Sequence, residues 1–208
     1  MKSVGLTMRI TTAPTYNECR DAISHDWIER LQQWNMMPVL IPNTIAEPSD
    51  FVDSLKLDLL VLTGGDDIGE MPARDSTESA ILQFATKTEL PVLGICRGMQ
   101  LINSQFGGGS GTTEGHVAQA HEVVAEPVLQ PIYGNSQTVN SYHRACIRPD
   151  TLAPKLVAGA FDQDGNIEAF YHQTLPIAGL MWHPEREGAP AADRRLFERL
   201  IENGAFWS

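Results

Sequence analysis

Cysteine is scarce in this chain. Cys19, Cys96 and Cys146 are the only three in 208 residues, and no two form a Cys-x-x-Cys pair. So sparse and odd a set excludes a disulfide framework and a cysteine-built zinc site, and a cytoplasmic, reducing setting is expected. Basic residues are few as well. Fifteen Lys and Arg stand against 26 Asp and Glu, a net charge of −11. That balance argues against nucleic acid or an anionic membrane as partner, although a small substrate meets only local charge. Long apolar runs are missing. No window approaches the ~18 residues of a membrane span, and Arg9 interrupts the first apolar stretch before it reaches signal length. There is no internal repeat and no low-complexity tract. The rest is globular in composition, 42% hydrophobic and 20% charged. A single domain spanning 1–208 with a sizeable core is expected.

The apolar pattern alternates short runs with helical stretches. Val4–Thr7, Met37–Pro42, Leu57–Leu62 and Val92–Ile95 read as strands, and residues 10–20 read as a polar loop. A helix is expected from Asp21, with Ile23, Trp27 and Leu31 on one face. Another is expected over Ser76–Leu90, with Ser76 as its N-cap. After Phe106 the texture changes to short strand-like pieces. The run Asp162-Gln163-Asp164-Gly165-Asn166 carries a hairpin signal. Ile177–Trp182 is a last apolar strand, followed by a helix over about 191–203. Strands alternating with helices imply an α/β fold: a three-layer sandwich with a central, mostly parallel sheet and a small antiparallel addition.

The chemistry gathers where strands end. Gly94-Ile95-Cys96-Arg97-Gly98 has the form of a nucleophile elbow with cysteine at its corner. The tight turn from strand to helix needs glycine on both sides. It places the sulfur at a helix N-terminus, which favours a thiolate, and leaves the Arg97 amide free to meet an oxyanion. Gly64-Gly65, directly after an apolar strand, can supply a second backbone donor. His183 follows the last strand and is a base for the thiol, and Glu185, two residues on, can orient its ring. Gln100 lies one helical turn beyond Cys96 on the same face and can both donate and accept.

Gly-Ile-Cys-Arg-Gly-Met-Gln, Thr-Gly-Gly-Asp-Asp and Trp-His-Pro-Glu together resemble the class I glutamine amidotransferase-like superfamily. Arg74-Asp75-x-x-Glu78, Val139-Asn140-Ser141-x-His143 and Gly165-Asn166-Ile167-Glu168-Ala169 narrow the resemblance to its γ-glutamyl hydrolase branch, peptidase C26. It runs from about Val4 to Leu200. It implies a flavodoxin-like fold, a Cys96–His183–Glu185 triad and an oxyanion hole from the Gly65 and Arg97 amides. It also implies a glutamyl pocket near Gln100, Gly64 and the Ser141–Tyr142–His143 segment. The Cys, His, Glu order differs from that of serine α/β-hydrolases, which counts against an esterase. The loop after the paired glycines departs from the family's usual Pro and Tyr, reading Asp66-Asp67-Ile68-Gly69-Glu70.

Met8-Arg9 and Tyr16-Asn17-Glu18-x-Arg20 are similar to the N-terminal pattern of γ-glutamyl-CDP-amidate hydrolases of capsule phosphoramidate pathways. Arg9, Arg20, Arg74, Arg97 and Arg144 are then candidate contacts to a phosphate-bearing substrate. The reaction this implies needs no metal and no organic cofactor. The expected partners are a small γ-glutamyl substrate and, among larger ones, a second copy in a homodimer. The competing readings are a glutaminase component feeding ammonia to a synthase, a γ-glutamyl-γ-aminobutyrate hydrolase, and a non-catalytic binding protein.

Overall fold

The computed structural model describes residues 1–208. Strand β1 (Lys2–Thr7) is followed by a small antiparallel hairpin, β2 (Arg9–Thr12) and β3 (Cys19–Ala22). Helices and strands then alternate: α1 (His25–Gln33), β4 (Met36–Ile41), α2 (Pro48–Leu55), β5 (Leu59–Leu62), α3 (Pro72–Thr88), β6 (Val92–Ile95) and α4 (Arg97–Gln105). The second half is strand-rich. It runs through β7 (Gly111–Thr112), β8 (Val117–Ala125), a short α5 (Gln130–Tyr133), β9 (Ser136–Tyr142) and β10 (Ala145–Cys146). β11 (Leu156–Phe161), β12 (Ile167–His172), β13 (Ile177–Leu180) and the closing helix α6 (Asp193–Asn203) complete it.

Nine strands form one sheet in the order β4-β1-β5-β6-β13-β12-β11-β8-β9. The first five are parallel, and the remaining pairings are antiparallel. The parallel portion has the flavodoxin-like order 2-1-3-4-5, in which ligands bind beyond the carboxyl ends of the strands. β5 and β6 lie in its middle and are buried along their whole length, which is why they read as unbroken apolar runs and not as alternation. Trp27, Leu31, Leu196, Phe197 and Leu200 from α1 and α6 cover one face. Val52, Ile81, Leu82, Met99 and Ile102 from α2, α3 and α4 cover the other. Helices on both faces make the three layers expected.

Residues 10–20 are not simply a loop. β2 and β3 pair from Arg9↔Ala22 to Thr12↔Cys19. Most of these residues are exposed or half-buried, so no apolar alternation marks the hairpin. α1 begins at His25 and not at Asp21, because Ser24 caps it: its hydroxyl accepts from the Asp26 amide at 3.3 Å. α3 begins four residues before Ser76. Pro72 sits in its first turn, where the missing N–H costs nothing, and Ser76 falls in the interior. The Asp162–Asn166 turn joins β11 to β12 as the hairpin signal indicated.

Candidate active site

Cys96 is held in a backbone conformation that few non-glycine residues adopt, φ 51° and ψ −102°, at the N-cap of α4. Such strain costs on the order of 1–3 kcal/mol and persists only where neighbours enforce it. The two flanking glycines show how. A Cβ on Gly98 would stand 2.0 Å from the Leu62 carbonyl oxygen, and one on Gly94 would stand 2.6 Å from the Gly98 carbonyl carbon. α4 therefore rests directly on the β5 and β6 backbones. The amide of Arg97, the first helical residue, donates to no group of the protein.

β5 ends at Leu62, and Gly64-Gly65 follow at the same edge of the sheet. The Gly65 amide is likewise without an acceptor. The Arg9 guanidinium lies on Gly65, close enough that a Cβ there would meet Arg9 Cζ at 2.9 Å. Buried Arg74 holds this loop from below. It donates to the Thr63 carbonyl at 2.7 Å and the Gly64 carbonyl at 3.2 Å, and pairs with Asp66 at 3.1 Å and Glu78 at 3.0 Å. Glu78 also binds the Arg97 side chain, which pairs with Asp75 as well. One buried charge network thus links the Gly65 loop to the start of α4. It fixes the two free amides relative to each other.

His183 follows β13 and is 2% exposed. Asn140 clamps its backbone: Oδ1 accepts the His183 amide at 2.9 Å, and Nδ2 donates to the His183 carbonyl at 2.9 Å and that of Glu187 at 3.1 Å. Nδ1 of His183 donates to Glu185 Oε1 at 2.8 Å. The ring lies against Gly64, where a Cβ would meet His183 Cε1 at 2.8 Å and Cys96 Cβ at 3.5 Å. Burial pulls the imidazole pKa down. Hydrogen bonds with Cys96 and Glu185 and the charge of both outweigh it, and the pKa rises to about 9. The raised pKa favours the imidazolium form of His183, which is the partner a thiolate needs.

These groups open into a cavity of about 680 Å³ lined by Cys96, His183, Gly65, Arg97, Gln100, Tyr142, His143 and Arg9, with Arg144 and Arg186 at its rim. Gly64 and Glu185 line a smaller cleft behind it. The structure thus brings Cys96, His183, Glu185, the paired glycines, Gln100, Tyr142 and His143 together. It does not bring Ser141 to the cavity: that side chain is fully buried and donates to the His116 carbonyl at 2.6 Å. The arginine candidates separate. Arg74 and the Arg97 side chain are locked in the internal network, and Arg20 pairs with Glu18 and Tyr16 on the hairpin. Arg9 and Arg144 have no side-chain hydrogen bond or ion pair and face the cavity. Arg186 lies over the Tyr142 ring at 4.3 Å.

Two supports escape a reading of the chain alone. Asn140 acts on a residue 43 positions away. Asp193 accepts from Trp182 Nε1 at 3.1 Å and the Tyr133 hydroxyl at 2.9 Å, anchoring the residue before His183. Asn140 has Thr138 and Ser141 close by in the chain, and Asp193 is followed by Arg194 and Arg195, so neither stands out in the chain as a buried polar residue.

The Peptidase C26 family profile matches residues 3–185, and the chain belongs to this family of glutamine amidotransferase-like hydrolases. It is 29% identical over 192 residues to the gamma-glutamyl-CDP-amidate hydrolase of Campylobacter jejuni, covering 88% of this chain and 90% of that protein. It is 30% identical over 204 residues to the gamma-glutamyl-gamma-aminobutyrate hydrolase PuuD of Escherichia coli, covering 79% of each. The solved structure of a GMP synthase component from Thermoplasma acidophilum superposes with a TM-score of 0.74. That match covers 97% of this chain and 92% of the other at 24% identity, a likeness of fold. No helix is long and apolar enough to cross a membrane.

Proposed function

We propose that this hydrolase cleaves the γ-glutamyl amide bond of a small anionic molecule, releasing glutamate by way of a thioester on Cys96. The observation that carries the reading is the convergence of three groups at one sheet edge. These are Cys96 on a strained elbow, an imidazolium at His183 in contact with it, and Glu185 holding that ring at 2.8 Å.

The Cys96 thiolate attacks the γ-carbonyl carbon. The Gly65 and Arg97 amides, free of other acceptors, bind the oxyanion, and donors of this kind are worth on the order of 10²–10³ in rate. His183 gives its proton to the departing nitrogen as the C–N bond breaks, leaving the glutamyl thioester. It next takes a proton from water, whose oxygen attacks the thioester, and the sulfur leaves as thiolate. Glu185 keeps Nδ1 protonated and the ring aligned throughout. Gln100, Tyr142 and His143 line the side of the cavity available to the glutamyl group.

The leaving group is the finer question. Arg9 and Arg144 are two unpaired guanidiniums lining the same cavity as Cys96 in a chain of net charge −11. They suit a phosphate-bearing leaving group, and γ-glutamyl-CDP-amidate is the leading substrate. The test is glutamate release from glutamine, γ-glutamyl-GABA, a γ-glutamyl dipeptide and γ-glutamyl-CDP-amidate, with wild type and Cys96→Ala. Cys96-dependent turnover of the phosphate-bearing compound is expected. Turnover of glutamine alone would replace the proposal with an ammonia-delivering glutaminase, and no turnover at all would sink it.

A further inference from the structure

Behind the cavity wall lies a second cluster of titratable groups that the reaction does not use. His116 immediately precedes β8, His121 lies within β8, and Glu168 projects from β12. One ligand atom from each of these three lies within 4.8 Å of the others. The carboxylate is 1% exposed, and neither of its oxygens accepts a hydrogen bond. Neither ring nitrogen of His121 has a hydrogen-bond partner either. A buried carboxylate without an aligned hydrogen-bond donor is costly, because burial removes its hydration and histidine nitrogens at 3.4 and 3.6 Å replace it only in part.

The spacings are unlike those of an ordinary histidine–carboxylate pair. His121 Nε2 is 3.4 Å from Glu168 Oε2, and the two are not aligned for a hydrogen bond. In the same molecule, His183 and Glu185 make a true hydrogen bond at 2.8 Å. Two atoms bound to one tetrahedral ion at bond lengths of ~2.0–2.1 Å stand about 3.3 Å apart. The His143 Nε2 to Glu168 Oε1 distance, 3.6 Å, repeats the pattern, while His116 Nδ1 makes a hydrogen bond of 3.4 Å with His143 Nε2. Asp162 Oδ2 lies 3.5 Å from His116 Nε2, where it would orient that ring. Asp162 is a poorer ligand than Glu168. Its oxygens already accept from the Asp164 and Asn166 amides and from Asn166 Nδ2.

We propose that His116, His121 and Glu168 form a binding site for a divalent transition ion, with zinc as the reference case. Two imidazoles and a carboxylate suit zinc, nickel or copper better than calcium or magnesium. A surface cleft lined by His116, His121 and Asp162 gives the ion a path from solvent. The site lies apart from the reacting groups, so it is compatible with a reaction that needs no metal. Its role is positional. The ion ties residue 116 and β8 to β12 and steadies the end of β9, from which Tyr142, His143 and Arg144 reach the cavity.

The test uses untagged Cys96→Ala protein, so that the reactive thiol cannot hold the metal. After dialysis against EDTA, zinc is titrated calorimetrically, and cobalt(II) is added in parallel to read visible ligand-field absorption. One equivalent of zinc, a tetrahedral cobalt spectrum and a zinc-dependent rise in melting temperature are expected. Glu168→Gln and His121→Gln should each weaken zinc at least tenfold and abolish the melting shift. Binding should also weaken as pH falls and the imidazoles take up protons. Should Glu168→Gln fail to fold by circular dichroism, His121, whose side chain is 17% exposed, carries the test alone. Absence of stoichiometric zinc, or zinc binding that survives His121→Gln, overturns the proposal.

Discussion

Glu185→Gln isolates the charge behind His183 without changing the shape of the side chain. The imidazole ordinarily titrates near 6.5, and in this fold it is held up to about 9. At 1.36 kcal/mol per tenfold, that gap is about 3 kcal/mol of preference for the imidazolium. Burial opposes it, and Cys96 and Glu185 each contribute a hydrogen bond and a charge in its favour. A charge-assisted hydrogen bond is worth ~1.5–3 kcal/mol, so removing Glu185 should lower the His183 titration by about one to two pH units. The readout is imidazole NMR of histidine-labelled protein, with His183 assigned by the signal missing from His183→Gln.

The same shift has a stability consequence. Because the folded pKa lies above the unfolded one, the stabilisation is complete below about pH 6.5 and is lost as pH rises through about 9. Glu185→Gln should flatten that part of the stability curve. It should also lower kcat by roughly 10²–10⁴, since the ring loses both its tautomer and its charge partner. A His183 titration that stays near 9 in the variant, or a kcat within about twofold of wild type, would refute the reasoning.

Gly98→Ala should cost at least ~1–3 kcal/mol in urea unfolding, because its Cβ meets the Leu62 carbonyl oxygen at 2.0 Å and α4 must retreat from β5; wild-type stability would contradict the close packing. Arg9→Ala and Arg144→Ala should each raise KM for a phosphate-bearing γ-glutamyl substrate about tenfold and leave KM for glutamine nearly unchanged, as a loss of ~1.4 kcal/mol implies. Equal effects on both substrates would move the arginines to the glutamyl end of the site. Burial lifts Asp193 to about 7 against the hydrogen bonds from Trp182 and Tyr133. Its folded pKa lies above the unfolded one, so stability should fall as pH rises from about 4 to 7, by up to about 4 kcal/mol, and Asp193→Asn should remove that fall. A calorimetric series in pH reads it directly.

Much of the fold is legible because its signals are local. Leu59–Leu62 and Val92–Ile95 are unbroken apolar runs, as strands buried on both faces must be. The Asp162–Asn166 turn announces its hairpin. The β2–β3 hairpin is not legible, because its residues bury too little to alternate. The start of α3 is masked because Ser76 has the chemistry of a cap, while Pro72 has already opened the helix. Ser141 shares the motif of its neighbours Tyr142 and His143. Successive residues on a strand nevertheless face opposite sides, so Ser141 turns inward to His116 while Tyr142 faces the cavity, and His143 reaches it only because β9 ends at Tyr142.

The candidate reacting groups are written in the chain itself. Cysteine between two glycines, a paired-glycine strand end and His-Pro-Glu after the last strand are short-range patterns whose chemistry follows from residue type and turn geometry. Which arginines are free is settled only by packing, because pairing is a property of space and not of order along the chain. Five look alike as surface cations, and the fold alone separates the buried Arg74–Glu78–Arg97 network from the unpaired Arg9 and Arg144. The fold also sets what holds His183 in place. Asn140 and Asp193 reach it and its neighbour from β9 and α6 through hydrogen bonds that no spacing in the chain encodes.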